Sequence, residues 1–113
     1  MILRGEVYWY DFPIKSRPVV VVSCDEMNES RIASCIVATI TSTPQRADRP
    51  GWVLIADESV DGVRGSVNAS TLNTVLKSEL RDKAATLTQA QMLAVDDAIV
   101  FALFGTDPRA PSR

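Results

Sequence analysis

The stretch KSRPVVVVS, residues 15 to 23, sets an arginine and a proline directly before four consecutive valines. A short run of β-branched apolar residues bounded by polar ones indicates a strand buried on both faces. Residues 18 to 23 are therefore predicted to lie centrally in a sheet. Because a residue before proline is held in an extended conformation, the backbone of Arg17 is expected to be fixed at the entrance of this strand.

Segments on both sides of this run also have the composition of strands. Strands are predicted over residues 6 to 12 (EVYWYDF), 32 to 41 (IASCIVATIT) and 52 to 56, with one or two more over 66 to 76. The segments 24 to 30, 42 to 51 and 57 to 65 are polar or rich in proline and glycine, so they are predicted to be loops. Residues 76 to 83 are expected to hold one helical turn.

The hydrophobic period changes near the C-terminus, where one helix is predicted. Thr88 and Gln91 fit a capping box, and Gly105 stands where a glycine commonly ends a helix. An apolar face is formed by Met92, Val95, Ile99 and Leu103. Strands followed by one helix predict an α+β, mostly β fold with a small curled sheet or barrel. We expect a single domain over residues 1 to 105 and a disordered tail over 106 to 113.

Composition excludes several classes of function. The chain has 113 residues, a net charge of −2 and a pI near 5.0, which argues against an evenly basic surface for nucleic acid. A local basic patch remains possible, and it would draw on Lys15, Arg17, Arg46 and Arg49. The start MILRGEVYW lacks a secretory pattern and no run of about 18 apolar residues occurs. A cytoplasmic location is therefore expected.

The residue inventory also excludes much of catalytic chemistry. The chain has no histidine, so no Ser-His-Asp or Cys-His arrangement can form. Cys24 and Cys35 are not a CxxC pair and are predicted to be buried free thiols, so no metal or other cofactor is expected. Asp96 and Asp97 are neighbours on the predicted helix and do not face each other. A solvated edge is expected there rather than a catalytic pair.

Arginine and hydroxyl groups are the chemistry that remains. The third predicted strand ends in ITS, so Thr41 or Ser42 stands at a strand end, as Arg17 does. If the two strands are neighbours, a guanidinium and a hydroxyl converge at one edge of the sheet. Arginine offers a permanently charged fork of donors and the hydroxyl adds another polar group, a pair that suits a phosphate. On this pattern alone, an ordinary surface arginine and a strand-ending threonine remain the more common explanation.

Four segments in order carry a resemblance that extends from about Arg4 to Leu103. They are LRGEVYWYDF (3 to 12), SRPVVVVSCDEMN (16 to 28), VATITS (37 to 42) and LKSEL (76 to 80), followed by the helix. Together they resemble the MazF/PemK toxins of bacterial type II toxin–antitoxin modules. The resemblance implies an SH3-like small barrel of the PemK/CcdB kind and a homodimer. It further implies metal-independent cleavage of single-stranded RNA at specific short sequences, and a cognate MazE-like antitoxin that occupies the RNA groove.

The implied reaction is attack by the ribose 2′-OH, which leaves a 2′,3′-cyclic phosphate and a 5′-OH. The catalytic arginine of the family matches Arg17 and its catalytic threonine matches Thr41. Arg17 would stabilise charge on the phosphate oxygens and is a candidate proton donor to the leaving oxygen, and Thr41 would hold or polarise a phosphate oxygen. RNA contacts are predicted for Lys15, Ser42, Arg46, Arg49, Asn68, Ser70, Thr71 and Asn73. Trp9, Tyr10 and Trp52 are candidate stacking platforms, with core or dimer-interface positions as the alternative.

Two departures from the family keep other functions open. The loop PIKS (13 to 16) is short where many members carry a long glycine-rich loop. The segment STLN (70 to 73) stands where many members carry both an arginine and either an acid or a glutamine. The second departure leaves open a catalytically weak module that binds RNA or an antitoxin. The other alternative is a CcdB-like gyrase poison without enzymatic activity. The polar, proline-bearing end GTDPRAPSR (105 to 113) disfavours it, because the CcdB mode relies on an apolar C-terminus.

Overall fold

The computed structural model of the chain describes residues 1 to 43, 50 to 60 and 63 to 105. In order, the elements are β1 (Glu6–Asp11), β2 (Ser16–Val21), α1 (Asp25–Glu29), β3 (Ser34–Thr41), β4 (Trp52–Val60), β5 (Val63–Leu76), a 3-10 turn (Lys77–Glu79), β6 (Arg81–Thr86) and α2 (Gln89–Phe104). The strands form one antiparallel sheet in the order β4-β5-β3-β2-β1-β6. The predicted α+β, mostly β class with a C-terminal helix is confirmed.

The valine run occupies the centre of this sheet, as predicted. Strand β2 lies between β1 and β3, and Val19, Val20 and Val21 are all fully buried. Successive side chains of a strand point to opposite faces, so a strand covered on both faces needs an unbroken apolar run. The strand begins at Ser16, two residues before the predicted start, because the pairing with β1 continues from Asp11 opposite Ser16.

The sheet packs a separate apolar cluster on each face. On the helix face, the cluster consists of Val7, Val20, Ala38, Ile40, Val63, Val67, Leu87, Met92 and Val95. On the other face, called the open face below, it consists of Val19, Val21, Cys35, Val37 and Val75, with Ile2, Tyr8, Tyr10, Phe12 and Leu80 packed against them. The helix therefore covers only one side of the sheet.

Helix α2 has the predicted ends. The backbone N–H of Gln91 donates to Thr88 Oγ1 at 3.1 Å, and the backbone N–H of Thr88 donates to Gln91 Oε1 at 2.8 Å. Gly105 ends the helix with a φ of 80°. The predicted apolar face is buried only in its first half, since Met92 is buried but Leu103 is 64 % exposed. Among the described residues, no helix is long and apolar enough to span a membrane.

Two predicted connections are wrong and one strand was missed, whereas the helical turn predicted within residues 76 to 83 is present at Lys77–Glu79. Residues 24 to 30 contain α1, which is too short to show a helical period. The predicted loop over 57 to 65 is replaced by the end of β4 and the start of β5, which form a single long strand pair. Strand β6 was not predicted, because it is an edge strand of mostly exposed charged and small residues (RDKAAT) that lacks an apolar alternation.

Two side-chain predictions are also corrected. Cys35 is buried as expected, but Cys24 is exposed because it precedes α1 at the surface. Asp96 forms an ion pair with Arg4, so this carboxylate holds α2 against the N-terminal segment and is not merely a solvated edge. The predicted disordered tail at 106 to 113 lies outside the described residues.

Candidate active site

The register of the central strands aligns polar side chains across one end of the sheet. Val19 of β2 pairs with Thr39 of β3. Both strands extend beyond this pair toward the same end of the sheet, β2 to Arg17 and β3 to Thr41, and both of these residues line one cleft. Tyr10 pairs with Arg17 on the other side. The two strand ends singled out in the sequence are therefore neighbours in the sheet.

A cleft of about 510 Å³, called the main cleft below, opens over these residues. It is lined by Phe12, Pro13, Ile14, Lys15, Arg17, Thr39, Thr41, Asn68, Thr71 and Asn73. The connection between β1 and β2 supplies an apolar wall, whereas β3 and β5 supply hydroxyls and amides. An apolar wall facing a few convergent polar groups is the usual composition of a ligand site.

The main cleft gathers most of the residues predicted to contact RNA. Arg17, Thr41, Lys15, Asn68, Thr71 and Asn73 all line it. Ser42 lines a smaller neighbouring cleft instead. Ser70 is exposed and lines neither of the two clefts, and its N–H and its hydroxyl both donate to Asn68 Oδ1, at 3.1 and 2.6 Å. Arg46 and Arg49 lie outside the described residues.

Thr41 is held in place by an unusually close strand. Its hydroxyl donates to the backbone carbonyl of Thr43 at 3.2 Å. Gly65 of β5 has a φ of +106°, and a Cβ built on it would lie 1.7 Å from the carbonyl oxygen of Thr41. Any other residue at position 65 would have to push these strands apart, so this glycine fixes the backbone that carries the Thr41 hydroxyl.

Arg17 has no carboxylate partner within the described part of the chain. Asp11 is the acid nearest to it in the strand register, since Asp11 pairs with Ser16. Arg81 of β6 occupies that acid, with its Nη2 2.7 Å from Asp11 Oδ1 and its Nε 3.1 Å from Oδ2. Hydrogen bonds from Arg81 and then Ser16 lower the pKa of Asp11. The charge of Arg17 is thereby left available to a bound anion.

The same Arg81 closes the connection between β1 and β2. Its Nη2 also donates to Ser16 Oγ at 2.6 Å, and the Ser16 hydroxyl donates to Asp11. The backbone N–H of Phe12 bonds to the carbonyl of Lys15 at 3.2 Å. We call this set of contacts the Asp11–Ser16–Arg81 latch. It anchors both ends of the short hairpin that forms the apolar wall of the main cleft.

A bulge in β5 shapes the other wall. Ala38 pairs with Leu72 but Thr39 pairs with Asn68, so three residues of β5 are left without partners on β3. Asn68 bridges this bulge, because its Nδ2 donates to Thr71 Oγ1 at 2.7 Å while its Oδ1 accepts from Ser70. The amide of Asn68 is therefore occupied in holding the bulge.

Two polar groups in the main cleft have no hydrogen-bond partner among the described residues. Asn73 is half-buried and its side-chain amide makes no such bond. Thr39 is 8 % exposed and its buried hydroxyl is likewise unpaired. Buried polar groups are normally bonded, and an exception calls for an explanation such as a ligand. Thr39 escaped the sequence prediction because a threonine inside a buried β-branched strand looks like a packing residue.

Other residues of the site were also missed. Phe12 and Ile14 line the main cleft, and Arg64 lines the smaller cleft together with Ser42. Only the strand pairing brings Arg64 near Arg17, so no local signal could have found it. Among the residues that the structure describes, no cluster of three or more His, Cys, Asp or Glu could hold a metal ion.

Comparisons with known proteins agree with this architecture. The family of PemK-like, MazF-like toxins of type II toxin–antitoxin systems matches residues 3 to 103. Endoribonuclease MazF2 of Mycobacterium bovis is 36 % identical over 104 residues, covering 85 % of this chain and 91 % of that protein.

Two solved structures have the same fold. An endoribonuclease in complex with its cognate antitoxin from a mycobacterial species superposes with a TM-score of 0.78 at 31 % identity, over 91 % of this chain and 95 % of that chain. A MazE–MazF crystal structure from Deinococcus radiodurans superposes with a TM-score of 0.74 at 21 % identity, over 93 % and 96 % of the two chains. The latter likeness shows the fold alone, and both structures agree with the predicted fold class.

Proposed function

The chain belongs to the PemK-like, MazF-like toxins of type II toxin–antitoxin systems and is an endoribonuclease, and we propose that it cleaves single-stranded RNA at a phosphate bound between Arg17 and Thr41. The observation that carries this proposal is the main cleft. Among the described residues, it holds an arginine without a carboxylate partner beside a strand-end hydroxyl, and the family resemblance assigns the catalytic residues to these two positions.

In the proposed reaction the ribose 2′-oxygen attacks the adjacent phosphorus while the bond from phosphorus to O5′ breaks. The products are a 2′,3′-cyclic phosphate and a 5′-OH. Negative charge builds on the non-bridging oxygens in the transition state. Arg17 stabilises that charge through its fork of donors and supplies the proton that O5′ takes up, and Thr41 donates to a non-bridging oxygen. The proton of the 2′-OH passes to solvent, and Arg17 recovers from solvent the proton that it gave to O5′, so its guanidinium is charged again after the step.

We include metal independence in the proposal, because Arg17 supplies the permanent positive charge that the developing oxyanion needs. The absence of histidine from the chain fits the same picture, since a ribonuclease that used a pair of histidines could not be built from it. Recognition of a short RNA sequence is assigned to the polar wall of the main cleft, where the unpaired amide of Asn73 can bond to a base edge.

Partners enter the proposal through the relatives. A solved relative is in complex with its cognate antitoxin, so we extend the proposal to a MazE-like antitoxin that covers the cleft. The homodimer and the cytoplasmic location are carried over from the family resemblance. The relatives are endoribonucleases, which favours the enzymatic function over a gyrase poison or a module that only binds.

The test is cleavage of a long single-stranded RNA in EDTA, with the cut ends mapped. We expect discrete cuts that leave a cyclic phosphate and a 5′-OH. Arg17→Ala should slow cleavage by about 10² to 10³-fold. Arg31→Ala is the matched control, because Arg31 is exposed and lines neither of the two clefts. No cutting by the parent protein across several RNAs, or undiminished cutting by Arg17→Ala, would overturn the proposal.

A further inference from the structure

A second cleft, of about 210 Å³, borders Arg17 from the other side. It is lined by Trp9, Lys15, Ser16, Arg17, Pro18, Ile40, Ser42 and Arg64. Side chains alternate across a strand, and Ile40 stands between Thr39 and Thr41, which line the main cleft. The second cleft therefore lies on the helix face of the sheet, and Arg17 with Lys15 borders both clefts at the sheet end.

Three cations that have no carboxylate partner among the described residues line the second cleft. Lys15, Arg17 and Arg64 line it, and no carboxylate within the described ranges pairs with any of them. Three other basic side chains, those of Arg4, Arg81 and Lys83, each form an ion pair with a carboxylate. Three uncompensated positive charges around one concavity attract a polyanion, even though the whole chain is acidic.

The apolar part of the second cleft suits a flat ring. Trp9 is half-buried and lies beside Pro18, its register partner on β2. Ile40 forms the buried floor. An indole beside a groove lined with cations is the usual arrangement for binding single-stranded nucleic acid, since bases stack on the aromatic ring while cations follow the phosphates. A volume of about 210 Å³ accommodates one nucleobase.

We propose that the second cleft is a nucleotide subsite next to the scissile phosphate, an inference that rests on the proposed endoribonuclease function. The RNA strand crosses the end of the sheet at Arg17, with one neighbouring nucleotide in each cleft. The base in the second cleft stacks on Trp9, and its phosphate lies between Lys15 and Arg64.

This subsite tolerates different bases. Its described lining offers no side-chain amide, and the hydroxyl of Ser16 is already bonded to Asp11 and Arg81, so the hydroxyl of Ser42 is the one small polar side chain left to contact a base edge. Stacking does not discriminate strongly between bases. Base selectivity therefore falls on the nucleotide in the main cleft, which has the unpaired groups of Asn73 and Thr39, and not on the nucleotide across the scissile phosphate.

Tryptophan fluorescence tests the subsite without cleavage. The chain has two tryptophans, so a Trp52→Phe background leaves Trp9 as the only one. The probe is single-stranded oligodeoxythymidylate, which lacks the 2′-OH and cannot be cut. We expect saturable quenching of Trp9. Arg64→Ala in this background should weaken binding and reduce the slope of log affinity against log salt by about 0.7, one phosphate contact on a single strand, and Arg31→Ala should leave both unchanged.

Three results would overturn the subsite. They are unchanged Trp9 fluorescence on binding, an Arg64→Ala variant with unaltered affinity and salt slope, and quenching by a glutamate-rich peptide but not by the oligonucleotide, which would make this a protein-binding cleft. A failure of the proposed function is read separately, from uncut RNA in the cleavage assay. Native near-ultraviolet circular dichroism of each variant excludes misfolding as the cause.

Discussion

Buried polar side chains are hydrogen-bonded at one end of the central strands but lack partners, among the described residues, at the other end. At the far end, where β2 leads into α1, Asn28 is 3 % exposed, its Nδ2 donates to the carbonyl of Ser23 at 2.9 Å, and its Oδ1 accepts from the Ser23 hydroxyl at 2.6 Å. The N–H of Ile36 completes the set by donating to Ser23 Oγ at 3.1 Å. At the cleft end, the side-chain hydroxyl of Thr39 and the side-chain amide of Asn73 have no hydrogen-bond partner within the described chain.

This difference separates stability from function. A buried polar group without a partner destabilises the fold by its desolvation, about 1 to 3 kcal/mol. A fold selected for stability alone would satisfy both ends of its strands. Among the described residues, the side chains of Thr39 and Asn73 and the cations Lys15, Arg17 and Arg64 lack partners and line the two clefts, so they are best explained as contacts reserved for a ligand.

The largest test of the cleft end is Gly65→Ala. The new Cβ would lie 1.7 Å from the carbonyl oxygen of Thr41 at a φ of +106°, so we expect a loss of stability on the order of 3 kcal/mol together with loss of cleavage. Urea denaturation measures the first effect. Gly51→Ala is the control, because its φ of +82° is similar but its Cβ would meet nothing within 4 Å, and about 1 kcal/mol is expected. Equal losses at both positions would contradict the role of Gly65.

A matched pair of asparagines tests the comparison directly. Asn28→Ala should cost about 2 kcal/mol, because it leaves the buried carbonyl and hydroxyl of Ser23 without their partner, while cleavage by the folded protein persists. Asn73→Ala should change stability by less than about 0.5 kcal/mol and should alter cleavage or its sequence preference. Denaturation and mapped cutting on the two variants measure these effects. The reverse outcome, a stability loss only at Asn73, would remove the distinction between the ends.

Thr39→Val should act in the opposite direction to most core substitutions. Valine has nearly the same shape and removes a buried hydroxyl that has no partner within the described residues, so stability should rise by about 1 kcal/mol. Cleavage should fall if the hydroxyl contacts RNA. Thr39→Ser, which keeps the hydroxyl, serves as the control for activity. A destabilised Thr39→Val would mean that the hydroxyl is satisfied in solution.

The smallest expected effect is on the pH dependence of folding stability, and it involves Glu6, which lies near the far end of the central strands. Burial raises the pKa of Glu6, but hydrogen bonds from Lys83, the N–H of Leu3 and Tyr8 outweigh it and lower the pKa from 4.5. A lowered carboxyl pKa stabilises the fold above the unfolded value, and this contribution is lost as pH falls through the folded pKa. Denaturation midpoints should therefore decline in acid, and less so for Glu6→Gln. An unchanged acid limb in that variant would contradict the assignment.

At alkaline pH, the ionisation of Tyr8 makes stability fall as pH rises, the opposite direction from Glu6. Burial, reinforced by the hydrogen bond to Glu6, raises the pKa of Tyr8 to about 12. A phenol whose pKa is raised on folding stabilises the protein below the unfolded value of 10.0 and loses that contribution as pH rises toward 12. Tyr8→Phe should thus flatten the alkaline decline in stability.

The parts of the fold that the sequence predicted are those encoded locally. The valine run, the caps at Thr88 and Gly105, and the strand end at Thr41 each follow from a few adjacent residues. Strand β6 was missed because its edge position shows only in its pairing with β1. The same reason hid Arg64, which strand pairing alone brings to the second cleft.

The contents of the clefts were predictable only in part. Arg17 and Thr41 could be singled out from chain position and family resemblance together. The hydrogen bonds that Asn68 makes with Thr71 and Ser70 depend on a bulge in β5. The bulge arises because β5 has more residues than the part of β3 with which it pairs. Such a mismatch has no signature in either strand taken separately, so which polar residues would be free for a ligand could not be foreseen.

The Asp11–Ser16–Arg81 latch has a kinetic consequence. With both ends of the hairpin anchored by charge-assisted hydrogen bonds, the apolar wall of the main cleft is formed by contacts within the chain itself. Encounter with substrate then requires no folding of this hairpin, and little ordering entropy is lost there on binding. Under the proposed function, the main cleft can therefore bind an RNA strand without a closing motion of the hairpin. An antitoxin, equally, would dock on a rim that is already formed.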